Sequence, residues 1–336
     1  MTITVFIPTY CRYQYLRDVL SDLAAQTRLP DEVLVVDQTP QQGRDESLYR
    51  EFGQRLPLKV LYLTAARGIS VSRNLALTHI TSDSMLFFDD DLRFESDLIS
   101  QFERVASSGY EVVHGGVRFR DHALWKTRPA IDDPVHQLIA SPNIDQVAGT
   151  IGIAGGNSLI NRDLLIELGG FDCQFNNGIC DDWDFGMRVF YNGARTIYHP
   201  GPAVRHLKAP VGGRRDYFLT GWRRFLGSWR EFAPSWRAPL FYFYGKYFTR
   251  KATRRLCLWR LLEIFELKYR LFRYPWGVPI AVLWWILSVM QARRMLRAGP
   301  LTIGRYEQPP CTVWTSPAWQ DTSSREECRN ALLAPK

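Results

Sequence analysis

Residues 85–91 read Met85-Leu86-Phe87-Phe88-Asp89-Asp90-Asp91: four apolar residues running without a break into three carboxylates. A short apolar run with no polar alternation is the pattern of a strand buried on both faces. Three adjacent carboxylates repel one another, so they call for a counter-charge wherever they leave water. The same kind of run recurs upstream at Thr4-Val5-Phe6-Ile7-Pro8, Glu32-Val33-Leu34-Val35-Val36-Asp37 and Lys59-Val60-Leu61-Tyr62-Leu63. Between them, residues 15–25 (Leu16, Val19, Leu20, Leu23) and 70–78 carry helical spacing. Buried strands alternating with helices predict an α/β fold, a mostly parallel Rossmann-like sheet with helices on both faces. Ligands of such sheets bind beyond the C-terminal strand ends. Two of these strands end on acids, Asp37 and Asp89.

Downstream the pattern predicts helices at 98–105, 163–168 and 182–191, and strands at 111–115, 151–160 and 196–198. Residues 121–146 are irregular and hold Pro and Asp, which reads as a mobile loop over the site. The charge then changes sign. Residues 1–200 hold 18 Lys/Arg and 26 Asp/Glu, whereas residues 201–300 hold 20 and 4. This basic block is also rich in Trp and Tyr, and residues 254–273 interleave Leu258, Leu261, Leu262, Phe265, Leu267 and Leu271 with cations. Such a segment reads as a basic amphipathic helix suited to an anionic membrane surface. Residues 274–292 carry no charge but are interrupted by Pro275, Gly277 and Pro279, and cations flank them. They fall short of the ~20 clean apolar residues of a full span and read as interfacial or re-entrant, with a single short span as the alternative. The expected organisation is therefore a catalytic domain at 1–215, with donor binding in residues 1–115 and the acceptor side in residues 116–215. A membrane-associating helical region at 216–300 and a disordered tail at 301–336 are expected to follow.

The six cysteines show no CxxC pair and read as reduced thiols. Met1 leads straight into a strand with no signal-peptide pattern, which places the expected catalytic half in the cytoplasm. No G-x-G-x-x-G follows the first strand, so a dinucleotide oxidoreductase is excluded. Charge alone suggests nucleic acid, but no recognition motif accompanies it, and no nucleic-acid partner is expected. A hard divalent cation, Mg²⁺ or Mn²⁺, is the natural partner of the aspartate run, since it takes one or two carboxylates together with phosphate oxygens. A solvated acidic turn is the alternative.

A series of motifs then makes a resemblance specific. Phe6-Ile7-Pro8-Thr9-Tyr10-Cys11-Arg12, Val35-Val36-Asp37, Gly68-Ile69-Ser70-Val71-Ser72-Arg73-Asn74 and Phe88-Asp89-Asp90-Asp91 resemble, in order, the P-T-Y-N-R, V-D, G-x-S-x-S-R-N and metal motifs of family 2 glycosyltransferases. Gly155-Gly156-Asn157, Gly169-Gly170-Phe171-Asp172 and Asp181-Asp182-Trp183-Asp184-Phe185-Gly186-Met187-Arg188 are similar to that family's acceptor-side segments. Cys11 stands where the family has Asn, Asp181 where it has Glu, and Gln38-Thr39 where it has Asn-Gly/Ser. The resemblance covers residues 3–210 and implies the GT-A fold with inverting, nucleotide-sugar-dependent transfer.

Residue by residue, the resemblance implies that Thr9 and Asp37 hold the donor's base and ribose, with Arg67 the cation on the nucleotide. Asp89 would contact ribose or metal, Asp91 would ligate the metal, and Asp90 would sit between them on the donor side in support. His206 would complete the metal ligands. Asp182 would be the general base, its proton affinity raised by the neighbouring Asp181 and Asp184, although Asp181 and Asp182 also suit a helix cap. Gly156, Asn157, Asp181 and Trp183 would face the acceptor. The implied partners are a nucleotide-diphosphate sugar, a glycan or glycolipid acceptor and an anionic membrane at the cytoplasmic face of the inner membrane. A non-catalytic nucleotide-sugar-binding or membrane scaffold of the same fold is the alternative, and it would require losing Asp89, Asp91 or Asp182.

Overall fold

The computed structural model describes residues 1–63, 68–119, 146–151, 153, 155–210, 234–266 and 277–319. Arg67, most of the expected loop at 121–146, and the basic segments at 211–233 and 267–276 lie outside them.

The first four long strands are the apolar runs named above: β1 (Ile3–Thr9), β2 (Glu32–Asp37), β3 (Leu58–Leu63) and β4 (Ser84–Phe88). They pair in parallel in the order β3-β2-β1-β4. Successive side chains point to opposite faces, and both faces are covered. Ile3, Val5 and Ile7 pack with Leu16, Val19, Leu20 and Leu23 of α1 (Tyr13–Ala24). Phe6 packs with Val71 and Leu75 of α3 (Ile69–Leu77). Continuous apolar strands follow from this two-sided burial, each buried Val, Leu or Ile contributing about 1.5–3 kcal/mol. A short helix α2 (Glu46–Phe52), capped by Asp45, lies between β2 and β3.

Beyond β4 the sheet is mixed rather than mostly parallel. Its full order is β5-β8-β6-β7-β4-β1-β2-β3-β9, with β5 (Leu92–Phe94), β6 (Val112–Phe119), β7 (Asn157–Asn161) and β8 (Thr196–His206). Strand β7 runs antiparallel to both β4 and β6, with Phe88 opposite Asn157. This reversal matters for the site: it sets the start of β7, not its end, at the edge where β1, β2 and β4 finish. Helix α4 (Leu98–Ala106) lies in the chain between β5 and β6, α5 (Arg162–Glu167) follows β7, and α6 (Asp181–Asn192) precedes β8.

Two expectations are corrected. The tail from residue 301, expected to be disordered, supplies β9 (Cys311–Thr315), which pairs antiparallel with β3. Trp314 packs towards Tyr49, and the Ser316 hydroxyl accepts from Leu58 N–H at 2.9 Å while donating to the Leu56 carbonyl at 3.1 Å. Burial and backbone pairing thus outweigh the tail's polar composition. The basic region does not stand apart either. Helices α7 (Pro234–Tyr247), α8 (Arg250–Glu266) and α9 (Gly277–Ala298) include a cluster of Phe241, Tyr242, Phe243, Tyr244, Ala292 and Met295 that packs on Phe175, Cys180 and Met187 of the sheet domain. Among the described residues no helix is long and apolar enough to cross a membrane.

Candidate active site

The acidic run ends β4 and is divided among three tasks. Asp91 is buried; its Oδ2 accepts the Ala209 N–H at 2.7 Å, while its Oδ1 finds no hydrogen-bond partner among the described residues. That orphaned oxygen lies 3.7 Å from His206 Nε2, which in turn is 3.5 Å from Asp89 Oδ2. His206 reaches this place through strand register, because antiparallel pairing of β5 with β8 sets Leu92 opposite His206. Among the described residues, Asp89, Asp91 and His206 form a group whose ligand atoms lie within 4.8 Å of one another. Ligands of one hard cation at about 2.1 Å can stand up to about 4.2 Å apart, so both His206 separations suit a shared ion. A buried oxygen left without a partner beside them is the feature such an ion would satisfy.

Without an ion, His206 serves as counter-charge. Burial lowers its proton affinity, but Asp89 and Asp91 outweigh this and raise it. The enclosing cleft pushes the Asp89 carboxyl up, yet His206, Arg73 and Arg12 together hold it below its ordinary value. Asp90 turns the other way. It accepts from the Thr9 hydroxyl at 2.8 Å and from Arg12 at 2.9 Å, and Arg12 also lies 3.6 Å from Asp91. Burial pushes the Asp90 carboxyl up to about 7, against the pull of Arg12.

Two residues expected at the donor are engaged with protein groups. Thr9 is buried and commits its hydroxyl hydrogen to Asp90. Asp37 is 0% exposed, with Oδ2 taken by the hydroxyls of Tyr13 and Tyr49 at 2.7 and 2.8 Å and Oδ1 by the Thr39 N–H at 2.8 Å. Both act here as braces at the strand ends. Sequence alone cannot separate these roles, since an Asp at a strand end looks the same whether it faces a ligand or a tyrosine hydroxyl.

The turn between β1 and α1 carries visible strain. Cys11 adopts φ 54°, a left-handed conformation that costs a side chain with Cβ roughly 1–2 kcal/mol but that Asn tolerates. Its N–H donates to the Thr39 hydroxyl at 2.9 Å, which joins the ends of β1 and β2. Cys11→Asn should therefore raise unfolding free energy by up to about 1 kcal/mol in denaturant titration, and a fall would show that the turn is not strained.

The start of β7 meets the group of Asp89, Asp91 and His206 directly. A Cβ on Gly156 would stand 2.3 Å from Asp89 Oδ2, and one on Gly155 would stand 2.5 Å from the Arg73 guanidinium. Only glycine lets this backbone approach so closely. Gly156→Ala is expected to weaken Mn²⁺ binding about tenfold or more while the protein stays folded, since overpacking costs about 1–3 kcal/mol at a site that must give way. Isothermal titration of Mn²⁺ measures it, and unchanged affinity would separate Gly156 from the cation site. Asn157 is buried and donates to the carbonyls of Gly116 and Pro202, both at 2.9 Å. Its expected acceptor contact gives way to a staple between β6 and β8.

Arg73 is the residue the motif contained but to which no role was given. It is 3% exposed and lies 4.7 Å over the Phe171 ring. It donates to the Asp181 carboxylate and, at 2.9 Å, to the Gly155 carbonyl. Next to it, the Asn74 side chain exchanges hydrogen bonds with the Phe171 backbone, both at 2.7 Å. Helix α3 therefore clamps the β7 turn and the start of α6 to the parallel part of the sheet. An arginine among small residues at a helix start was the available signal, but nothing in the sequence marked it as buried.

Asp182, in the first turn of α6, is half-buried and accepts its neighbour's N–H, from Trp183, at 2.9 Å. Burial pushes its carboxyl up to about 7, Asp181 adding to the effect and Arg73 opposing it. The helix N-terminus accepts the negative charge gathered there. Asp184 is fully buried and engaged by Lys246 at 2.5 Å, Tyr247 at 2.8 Å and Arg188 at 3.0 Å, and Lys246 also pairs with Asp172 at 3.1 Å. Helix α7 is thus bolted to the helix carrying Asp182. Trp183 is half-buried with its edge towards Phe243 of α7.

Known proteins resemble this chain in sequence and in fold. The model of the family described as Glycosyl transferase family 2 matches residues 4–169. Over 230 residues the chain is 26% identical to an uncharacterized glycosyltransferase, YwdF, of Bacillus subtilis (strain 168), covering 65% of this chain and 82% of that protein. An uncharacterized glycosyltransferase of Haemophilus influenzae is 30% identical over 123 residues, but the match spans only 34% of this chain and 46% of that protein. S. aureus TarS 1-349, solved in complex with UDP-GlcNAc, matches with TM-score 0.54 at 18% identity over 86% of this chain and 82% of that one. The mannosyltransferase PcManGT from Pyrobaculum calidifontis, solved with GDP-Man and Mn²⁺, matches with TM-score 0.50 at 19% identity over 87% and 86%. Against a longer TarS chain the match spans 37% of that chain. At such identities the structural likeness is one of fold. With residues 4–169 carrying the match, the chain belongs to glycosyl transferase family 2.

Proposed function

We propose that this glycosyltransferase moves a hexosyl or deoxyhexosyl group, with inversion, from a nucleotide-diphosphate sugar to a hydroxyl of a lipid-linked or surface-polysaccharide acceptor. The observation that carries the reading is that the Asp89, Asp91 and His206 cluster is joined, through Gly156, Gly155 and Arg73, to Asp181, the neighbour of Asp182, with the Arg73 charge acting on both Asp89 and Asp182. Asp89, Asp91 and His206 would hold Mg²⁺ or Mn²⁺, which when bound supplies positive charge to a departing nucleotide diphosphate. Asp182 takes the proton of the acceptor hydroxyl, and a carboxyl raised to about 7 is suited to that work at neutral pH. Arg12 holds Asp90 and Asp91 in line, so the acidic strand end is set before any ligand arrives. Arg67 remains the proposed nucleotide cation, and Trp183 and Asp181 line the acceptor side. The reaction is placed at the cytoplasmic face of the inner membrane, to which the basic helices bring the site.

A panel of UDP-, GDP- and dTDP-sugars, read by nucleotide release, tests the reading. Turnover with one donor, abolished by chelator and restored by Mn²⁺ or Mg²⁺, is the expected result. Turnover indifferent to chelator would remove the metal from the scheme. Asp91→Asn should cost about 10²-fold or more in turnover by removing a charged ligand, and full activity in that variant would have the same consequence.

A further inference from the structure

Helix α9 has two apolar sides, and among the described residues only one of them is covered by protein. Ala281, Ser288, Ala292 and Met295 are buried, at 1%, 0%, 3% and 8% exposed, and Ala292 and Met295 belong to the cluster shared with α7. About half a turn away, at roughly 100° per residue, Leu283, Ile286, Leu287 and Met290 are 53%, 44%, 41% and 46% exposed. Their spacing of i, i+3, i+4 and i+7 makes one continuous aliphatic stripe. A helix apolar all round belongs in a protein core or in lipid, and among the described residues this one meets core on one side only.

The stripe continues, four and seven residues beyond Met290, into exposed Arg294 and Arg297. Leu283 and Arg297 are fourteen positions apart, so the whole line is about 21 Å long. Exposed cations also stand at the start of α8: Arg250, Lys251, Arg254 and Arg255. No Asp or Glu occurs anywhere in residues 234–261 or 277–298.

We infer that this outward stripe of α9 is the seat on which the chain rests on an anionic lipid surface, its aliphatic part in the acyl boundary and Arg294 and Arg297 among the headgroups. The inference rests on the membrane-surface reading above and names the segment that makes the contact. The charge pattern selects the occupant. A second copy packed stripe to stripe would bring Arg294 and Arg297 against the same cations with no carboxylate in α9 to meet them, and nucleic acid offers nothing to a row of Leu, Ile and Met. The geometry also fixes the mode of contact. The uncharged stretch 277–292 is about 24 Å long as helix, short of the ~30 Å hydrocarbon core, so the helix lies in the interface and does not span it. The seat differs from the one expected at 254–273, where Leu256 and Cys257 of α8 are turned towards the protein cluster.

The test is co-sedimentation of the full chain with vesicles of phosphatidylcholine alone and of phosphatidylcholine mixed with phosphatidylglycerol. The wild type should bind the mixed vesicles and bind the neutral ones weakly. The variant L283N/I286N/L287N/M290N should lose at least about tenfold of that binding. R294Q/R297Q should lose about fivefold per cation and much of the salt dependence. Equal binding to both vesicle types, no binding, or variants that sediment like the wild type would each overturn the inference. So would concentration-dependent dimerisation in sedimentation velocity that the aliphatic variant abolishes, since the stripe would then belong to a second copy. Nucleotide release from the donor, measured in solution, should be unchanged in both variants. If no donor turns over while vesicle binding behaves as stated, the transferase reading fails and the lipid seat stands.

Discussion

Asp182→Asn is expected to leave a folded protein in which sugar transfer falls by about 10²–10⁴-fold, the range for losing a general base. The wild-type rate should fall towards acid with a limb near pH 7, because the base works only when ionised and its carboxyl is pushed up to about 7. The variant should lose that limb. Stability should move in the opposite direction. A carboxyl whose folded-state proton affinity is raised opposes folding once it ionises. That cost grows between the ordinary value of 3.8 and about 7 and is constant above. Asn carries no charge, so the melting temperature of the variant at neutral pH should hold or rise. Loss of transfer with retained stability identifies a residue kept for chemistry. Near-normal transfer with an intact fold would assign the proton to another group.

The second large effect concerns the cation beneath that base. Arg73→Met removes the partner of buried Asp181 and frees the Gly155 carbonyl. Breaking a buried pair from one side costs about 3–5 kcal/mol, since the remaining carboxylate stays out of water without compensation. The acid limb of the pH profile should also shift towards alkaline pH, because Arg73 is the charge that holds Asp182 down. Arg73→Lys keeps the charge but loses the planar fork that reaches two acceptors, so it should fall between the two. Adding Asp181→Asn to Arg73→Met should recover some of the loss, and a double-mutant cycle in denaturant measures the coupling. A fold that tolerates Arg73→Met at a cost under about 1 kcal/mol would remove Arg73 from this role.

How far the site could be read from sequence depended on the kind of signal each residue gave. The strands from β1 to β4 were legible because burial on both faces writes an uninterrupted apolar run. The end of β4 was legible because three carboxylates in a row are unusual beside such a run. The helix carrying Asp182 was legible from its periodicity and acidic first turn. By contrast, β5 and β9 are three and five residues long, and β9 has no apolar run of its own; it exists because β3 offers an edge. The antiparallel direction of β7 left no local mark either, although it decides that Gly156 faces Asp89 and Gly155 faces Arg73. Within the basic region residues 234–247, 250–266 and 277–298 are helical, but their packing on Phe175, Cys180 and Met187 depends on residues more than fifty positions away.

The sequence by itself determined the α/β core and the acidic end of β4, because apolar periodicity and like-charge crowding are local properties. The tertiary structure alone decided which carboxylates are free to act. It turned Asp37 and Asp90 inward onto Tyr13, Tyr49, Thr9 and Arg12. It left Asp91 Oδ1, beside His206, without a hydrogen-bond partner among the described residues. It also placed Arg73 beside the residues flanking both Asp89 and Asp182. Hydrogen bonding and ion pairing act through space, between strand ends set side by side by register, and that neighbourhood is absent from any stretch of sequence read alone.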